Sequence, residues 1–221
     1  MAEPVKSRRY DSSRRRAAAV ERRRGILRAA ADLFLADGYA KTTIAAIASR
    51  AGVSEDLIFT LFGNKRGVLK AVMDVAVGGD DADIPLLERE GPQAVRASTD
   101  QQEQIRLFCA GITAQLDRLV PYNELIRTAA EVEPEIAALH EDLHLRQRRT
   151  AMTTVASWIA ANGPLRDGLS VEQAAATIWT LASPEVYRML TRHWSWTSHQ
   201  YQQWLELLLH TALLPHHRPT G

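Results

Sequence analysis

Three glycines, Gly38, Gly52 and Gly63, cut the first third of the chain into short apolar segments, and this spacing constrains the fold more than any other feature. Helices commonly end against a glycine, which enters the left-handed backbone region without a steric cost. Before Gly38, the residues Ile26, Ala30, Leu33 and Phe34 recur at helical spacing and predict a helix over about 14–36. Thr42 or Thr43 then caps a short helix at 43–50 that carries Ile44, Ile47 and Ala48. Ser54 caps the next, 54–62, with Glu55 and Asp56 at its positive end and Leu57, Ile58, Leu61 and Phe62 as apolar positions. Asn64 caps a fourth over 65–77, with Val68, Leu69, Val72 and Val75 facing inward.

The stretch Ile47-Ala48-Ser49-Arg50-Ala51-Gly52-Val53-Ser54 fits a helix-turn-helix. Ala48 and Ala51 are small enough for two helices to approach closely. Gly52 permits the turn at positive φ, and Val53 fills the space between the helices. Such a unit lays its second helix in a DNA major groove with its first residues against base edges. Both helix N-termini offer backbone N–H groups to phosphates. Charge points the same way. Residues 1–70 carry 15 Lys and Arg against 7 Asp and Glu, whereas residues 71–221 carry 12 against 19. A basic front on an acidic body implies that the front meets a polyanion.

The division predicted is a flexible basic arm at 1–13, a helix-turn-helix domain at 14–62, a linking helix at 63–78, a loop at 79–97, a helical body at 98–215 and a tail at 216–221. In the body, Pro121 restarts a short helix and Pro134 starts a long one that ends at Asn162-Gly163-Pro164. Further helices cover Val171 to Ala182, the stretch after Ser183-Pro184, and Thr197 or Ser198 to about Leu214. No strand pattern, repeat or glycine-rich phosphate loop is visible, so the class is all-α. One cysteine excludes a disulfide framework. No apolar run reaches membrane-spanning length, so a cytoplasmic protein with no membrane partner and no cofactor is expected.

The pattern Ala29-Ala30…Leu33-Phe34…Gly38-Tyr39…Thr42-Thr43-Ile44…Ile47-Ala48…Ala51-Gly52-Val53-Ser54…Phe59…Phe62-Gly63-Asn64-Lys65…Leu69 resembles the DNA-binding region of the TetR family of bacterial transcriptional regulators. The resemblance covers roughly 22–73. It implies a homodimer that binds a palindromic double-stranded operator, usually as a repressor, and a helical body whose small ligand releases DNA. It also implies phosphate contacts from Thr43 and Lys65. Three positions depart from the family pattern. Asp56-Leu57 stands where many members have Gly-Thr, Phe59 where tyrosine is frequent, and Leu61 where histidine is frequent. Phe59 has no hydroxyl for phosphate, so the arginines before Arg24 are expected to supply replacement affinity.

Candidate DNA-binding residues are Arg14, Arg15, Arg16, Thr42, Thr43, Arg50, Ser54, Glu55, Asp56, Leu57, Phe59, Thr60, Asn64 and Lys65. For an apolar or aromatic ligand the candidates are Phe108, Ile112, Tyr122, Ile126, His144, Val155 and Trp158. The last helix is apolar on more than one face, which predicts burial on more than one side. A dimer seam is therefore expected from Ile178, Val186, Met189, Tyr201, Trp204, Leu205, Leu208 and Ala212.

One string competes with this reading. His140-Glu141-Asp142-Leu143-His144 spells the H-E-x-x-H of zinc hydrolases. No third ligand follows at the spacing such enzymes use, and the next carboxylate is Asp167. The expectation is therefore no metal site and no enzyme. A regulator that needs no small ligand is the other alternative. Cys109 lies on an apolar stripe with Phe108 and Ile112 and reads as a packed small hydrophobe.

Overall fold

A computed structural model describes residues 8–131 and 133–215, with side chains for 13–131, 133–143 and 145–215. All regular structure among the described residues is helical. The chain divides into two compact units, Met1–Asp74 and Val75–Gly221.

The first unit contains α1 (Arg8–Lys41), α2 (Ile44–Ala51), α3 (Glu55–Phe62) and most of α4 (Lys65–Gly78). Its core is Ile26, Ala30, Phe34, Ile47, Ile58, Val68 and Leu69, all fully buried, and Phe34 stacks on Tyr39 at 5.7 Å between centroids. Within α1, Gly38 adopts φ 80 and ψ 166, a region essentially closed to other residues, and the helix kinks there. This is the glycine that the spacing marks as a stop.

The helix begins at Arg8 rather than at 14, so residues 8–13 of the expected arm are helical. Arginine and alanine are strong helix formers, and residues 13–20 are all exposed. A helix held by propensity alone packs on nothing, so it shows no apolar period. Residues 1–7 of the arm and the tail at 216–221 lie outside the described residues.

The second unit departs from expectation at three places. The segment 79–97 is not all loop: it holds a 3-10 turn at Leu86–Glu88 and α5 (Glu90–Ala97). Pro92 stands in the first turn of α5, where no intrahelical bond is lost. Gln104 fastens the helix by donating from Nε2 to the Val95 carbonyl at 3.0 Å. Next, α6 (Gln101–Ala130) runs unbroken through Pro121, with Leu119, Val120 and Asn123 buried around it. Burial on the flanking positions outweighs the one backbone bond that proline forfeits. Finally, α7 (Pro134–His140) and α8 (Arg148–Ala161) are joined by a π-wound segment, Glu141–Gln147. The chain closes with α9 (Val171–Leu181), α10 (Pro184–Arg188), a π turn at Met189–His193, and α11 (Ser198–Leu213).

Ser170 with Gln173, and Thr197 with Gln200, form reciprocal capping boxes at the starts of α9 and α11. The body's core runs through Ile105, Leu116, Ile159, Ile178, Tyr201, Leu205, Leu209 and Leu213. Cys109 is fully buried there, and burial pushes its thiol well above the ordinary range, so it is a packed hydrophobe rather than a nucleophile.

This core corrects part of the expected seam. Ile178, Tyr201 and Leu205 are fully buried within their own chain and cannot face another. The inward face of α11 accounts for part of the apolar excess that suggested a partner. Val186, Trp204, Leu208 and Ala212 are half-buried, and Met189 is exposed. Trp194 and Leu207, which the reading omits, are 71% and 65% exposed.

Candidate nucleic-acid interface

Local chemistry builds the two-helix unit. Thr43 caps α2 by accepting at Oγ1 from the Ala46 N–H at 3.1 Å. Gly52 ends α2 in the left-handed region at φ 68 and ψ 37. Its N–H bonds the Ser49 carbonyl at 3.3 Å, and the Val53 N–H bonds the Ala48 carbonyl at 3.0 Å. These two bonds form a Schellman turn that aims the chain straight into the next helix. Ser54 caps α3 by accepting from the Leu57 N–H at 3.3 Å. Asn64 accepts at Oδ1 from the Gly67 N–H at 2.9 Å at the start of α4. A Cβ on Gly67 would run into the Phe62 carbonyl, so this glycine is what lets α4 begin against the end of α3.

The outward face of α3 is unusual for a short helix. Ile58 is its fully buried side chain. Glu55, Asp56, Phe59 and Thr60 are exposed, Phe59 by 47%, and Leu57 is half-buried. Leu61, expected to face inward, is 39% exposed. The Thr60 hydroxyl donates to the Asp56 carbonyl at 2.8 Å, leaving its methyl group outward. A face of two carboxylates at the N-terminal end, with an aromatic ring and a methyl group beyond, matches cytosine amino groups and thymine methyl groups.

Two expected contacts are otherwise engaged. Thr42 is buried, and its hydroxyl donates to the Gly38 carbonyl at 2.8 Å, so it locks the kink and does not reach the surface. The Lys65 ammonium donates to the Tyr39 carbonyl at 2.9 Å and lies 4.2 Å over the Tyr39 ring. It ties the start of α4 to the segment beyond Gly38. Arg50 is exposed and paired with exposed Asp32 at 3.3 Å, a weak contact that a phosphate can displace.

The extension of α1 carries a pattern visible only once it is a helix. Arginine pairs recur every seven residues, at Arg8-Arg9, Arg15-Arg16 and Arg22-Arg23. Seven residues are nearly two turns, so the pairs share one face over about 21 Å from first to last. Arg14 lies off that face. At the inner end, the Arg23 guanidinium sits 4.8 Å over the ring of Phe62, the last residue of α3.

The ligand candidates do not come together as one group. Phe108, Ile112 and Val155 line a common cavity of about 210 Å³ in the second unit. Ile126 is fully buried, while Tyr122 and Trp158 are half-buried, and none of the three borders that cavity. His144 has its side chain outside the described set. The H-E-x-x-H string also loses its geometric premise. In π winding the bonds run i to i+5, so the α-helical i, i+4 face does not hold across 141–147. Among the described residues no three of His, Cys, Asp and Glu gather to hold a metal ion.

Comparison with known proteins agrees with this geometry. Residues 26–72 match the model of the bacterial regulatory proteins of the tetR family. The chain is 35% identical over 108 residues to the HTH-type transcriptional regulator HbdR of Aromatoleum sp. (strain CIB), covering 45% of this chain and 42% of that protein. The match thus spans about two-fifths of the curated relative's length. Among solved structures, the fatty acid degradation regulator FadR from Bacillus halodurans superposes with a TM-score of 0.63 at 18% identity, covering 85% of this chain and 93% of that one. NalD of Pseudomonas aeruginosa, a secondary repressor of the MexAB-OprM multidrug efflux pump, gives a TM-score of 0.62 at 18% identity, covering 90% and 98%. At these identities the structural likeness speaks for the fold.

Proposed function

Through residues 26–72 the chain belongs to the tetR family of bacterial regulatory proteins, and from that premise we propose that it is a sequence-specific transcriptional regulator acting by binding rather than by catalysis. In this reading it is a homodimeric repressor that grips a palindromic operator and is released by a small apolar ligand. The observation that carries it is the exposed face of α3. Glu55, Asp56, Phe59 and Thr60 stand outward on a helix whose N-terminus is capped and whose entry turn is fixed. Nothing in the first unit's core requires Phe59 to be aromatic. A base step does.

The exposed α1 extension supplies the sequence-independent share of affinity in this reading, through phosphate neutralisation. Met189, Trp194 and Leu207 support the dimer, since large exposed apolar side chains mark contact surfaces. The cavity beside Phe108, Ile112 and Val155 supports the ligand. Selecting bound duplexes from a random pool tests the whole reading. Two inverted half-sites a whole number of helical turns apart are expected, because a two-fold dimer imposes that spacing. A pool that stays random through successive rounds would refute it.

A further inference from the structure

The cavity in the second unit closes around the C-terminal end of α4, and its walls are of two kinds. Most are apolar, among them Val77, Leu87, Phe108, Ile112 and Met152. The exceptions are Gln115 and two guanidinium groups, Arg89 and Arg118, and no carboxylate lines it. Both arginines also hold α4. Arg89 donates to the Gly78 carbonyl at 3.0 Å, to Asp80 at 2.9 Å and to the Ala82 carbonyl at 3.0 Å. Arg118 donates from Nε to the Ala76 carbonyl at 3.2 Å and from Nη1 to the Ala114 carbonyl at 2.9 Å. The last carbonyls of a helix carry partial negative charge, so two cations there fasten its end.

The pair Gly78-Gly79 makes this possible. A Cβ at 78 would lie 2.7 Å from the Arg89 Cζ, and one at 79 would sit 3.5 Å from the Arg118 Cζ at a φ of +90°. The two glycines therefore do more than end the helix. They admit the guanidinium of Arg89 against the backbone and let that of Arg118 lie alongside.

We propose that this cavity binds a small apolar monocarboxylate, a short-chain or single-ring organic acid, with its carboxylate on Arg118 and Gln115. The inference rests on the reading of the chain as a ligand-released regulator and names that ligand's chemistry. Cations without lining acids give the cavity a positive potential, which selects an anion. Its volume falls below the roughly 300–1,000 Å³ of drug-sized sites, which limits the acid's size. Arg118 Nη2 and the Gln115 side-chain amide have no partner among the described residues and are available to the carboxylate. A carboxylate is a stronger acceptor than a peptide carbonyl, so it draws the guanidinium away from Ala76. Binding then loosens the end of α4, the helix that starts beside the recognition unit at Lys65. The acid thereby becomes the signal.

Calorimetric titration of the full chain with phenylacetate, 2-phenylethanol and phenethylammonium tests this, because the three probes share one ring and differ in head group. Phenylacetate is expected to bind, the alcohol about 10- to 100-fold more weakly, as for loss of a charged hydrogen bond, and the ammonium not at all. Arg118→Gln lowers phenylacetate affinity by a similar factor, and Gln115→Leu, which leaves the α4 fastening intact, lowers it less. Equal affinity for acid and alcohol, or no binding of phenylacetate at millimolar concentration, overturns the inference. The same preparation is titrated with a duplex selected from the random pool. Phenylacetate should weaken that complex. Selective duplex binding that ignores phenylacetate overturns the inference alone, whereas absence of selective binding overturns the regulator reading beneath it.

Discussion

Replacing Gly52 separates backbone geometry from every other cause. The residue sits at φ 68 and ψ 37, and a Cβ built there meets nothing within 4 Å. Packing therefore contributes nothing to the cost, and what remains is the left-handed backbone. That region costs an L-residue with a Cβ about 1–2 kcal/mol, asparagine less, and a β-branched residue more. The expected order of loss is Gly52→Asn, then Gly52→Ala, then Gly52→Val. The strain has one easy outlet: the turn opens and α3 swings away from α2, so base readout fails before the fold does. A penalty of 1–2 kcal/mol corresponds to a factor of about 5–30 in the competent population. Competition between a selected duplex and a scrambled one measures this. The specific affinity should fall in the stated order while scrambled binding stays nearly constant. A valine variant that matches the wild type, or an alanine variant worse than valine, would refute the strain argument.

Other outcomes follow from the same coordinates. Changing Arg15, Arg16, Arg22 and Arg23 to glutamine should flatten the salt dependence of DNA affinity, by about 0.9 in slope for each phosphate no longer neutralised. Ala18→Pro keeps every arginine but interrupts the α1 extension, so a comparable loss of affinity identifies a preformed helix and an unchanged affinity identifies a floppy arm. Phe34→Ala, at a fully buried site, should destabilise the first unit by about 3–5 kcal/mol in urea titrations. Leu207→Glu with Met189→Glu should give monomers in sedimentation, and a persistent dimer would place the seam elsewhere.

The sequence was most informative where backbone chemistry is local. Thr43, Ser54, Ser170, Ser183 and Thr197 all cap helices in the structure by the side-chain bond their type favours. Gly38 and Gly52 stand at the positive φ values their spacing suggests. Legibility ended where tertiary contact decides. The α1 extension has no period because it packs on nothing, and α5 is short with a proline near its start. Pro121 reads as a break only until its buried neighbours are known. Tyr201 and Leu205 carry the composition of an interface, but the chain's own core covers them. Within the site, the roles of Thr42 and Lys65 depend on Gly38 and Tyr39, whose carbonyls no spacing rule locates. The cavity joins residues from Val77 to Val155, a separation that no local pattern reports.

The central claim is that the outward side of α3 distinguishes base sequences. Its most direct test is the ratio of affinities for a selected and a scrambled duplex, measured for the wild type and for a variant with Glu55, Asp56, Phe59 and Thr60 all changed to alanine. The account predicts a wild-type ratio in the range of about 10³–10⁷ that collapses toward unity in the variant, with binding to the scrambled duplex retained. An unchanged ratio in a folded variant would contradict it.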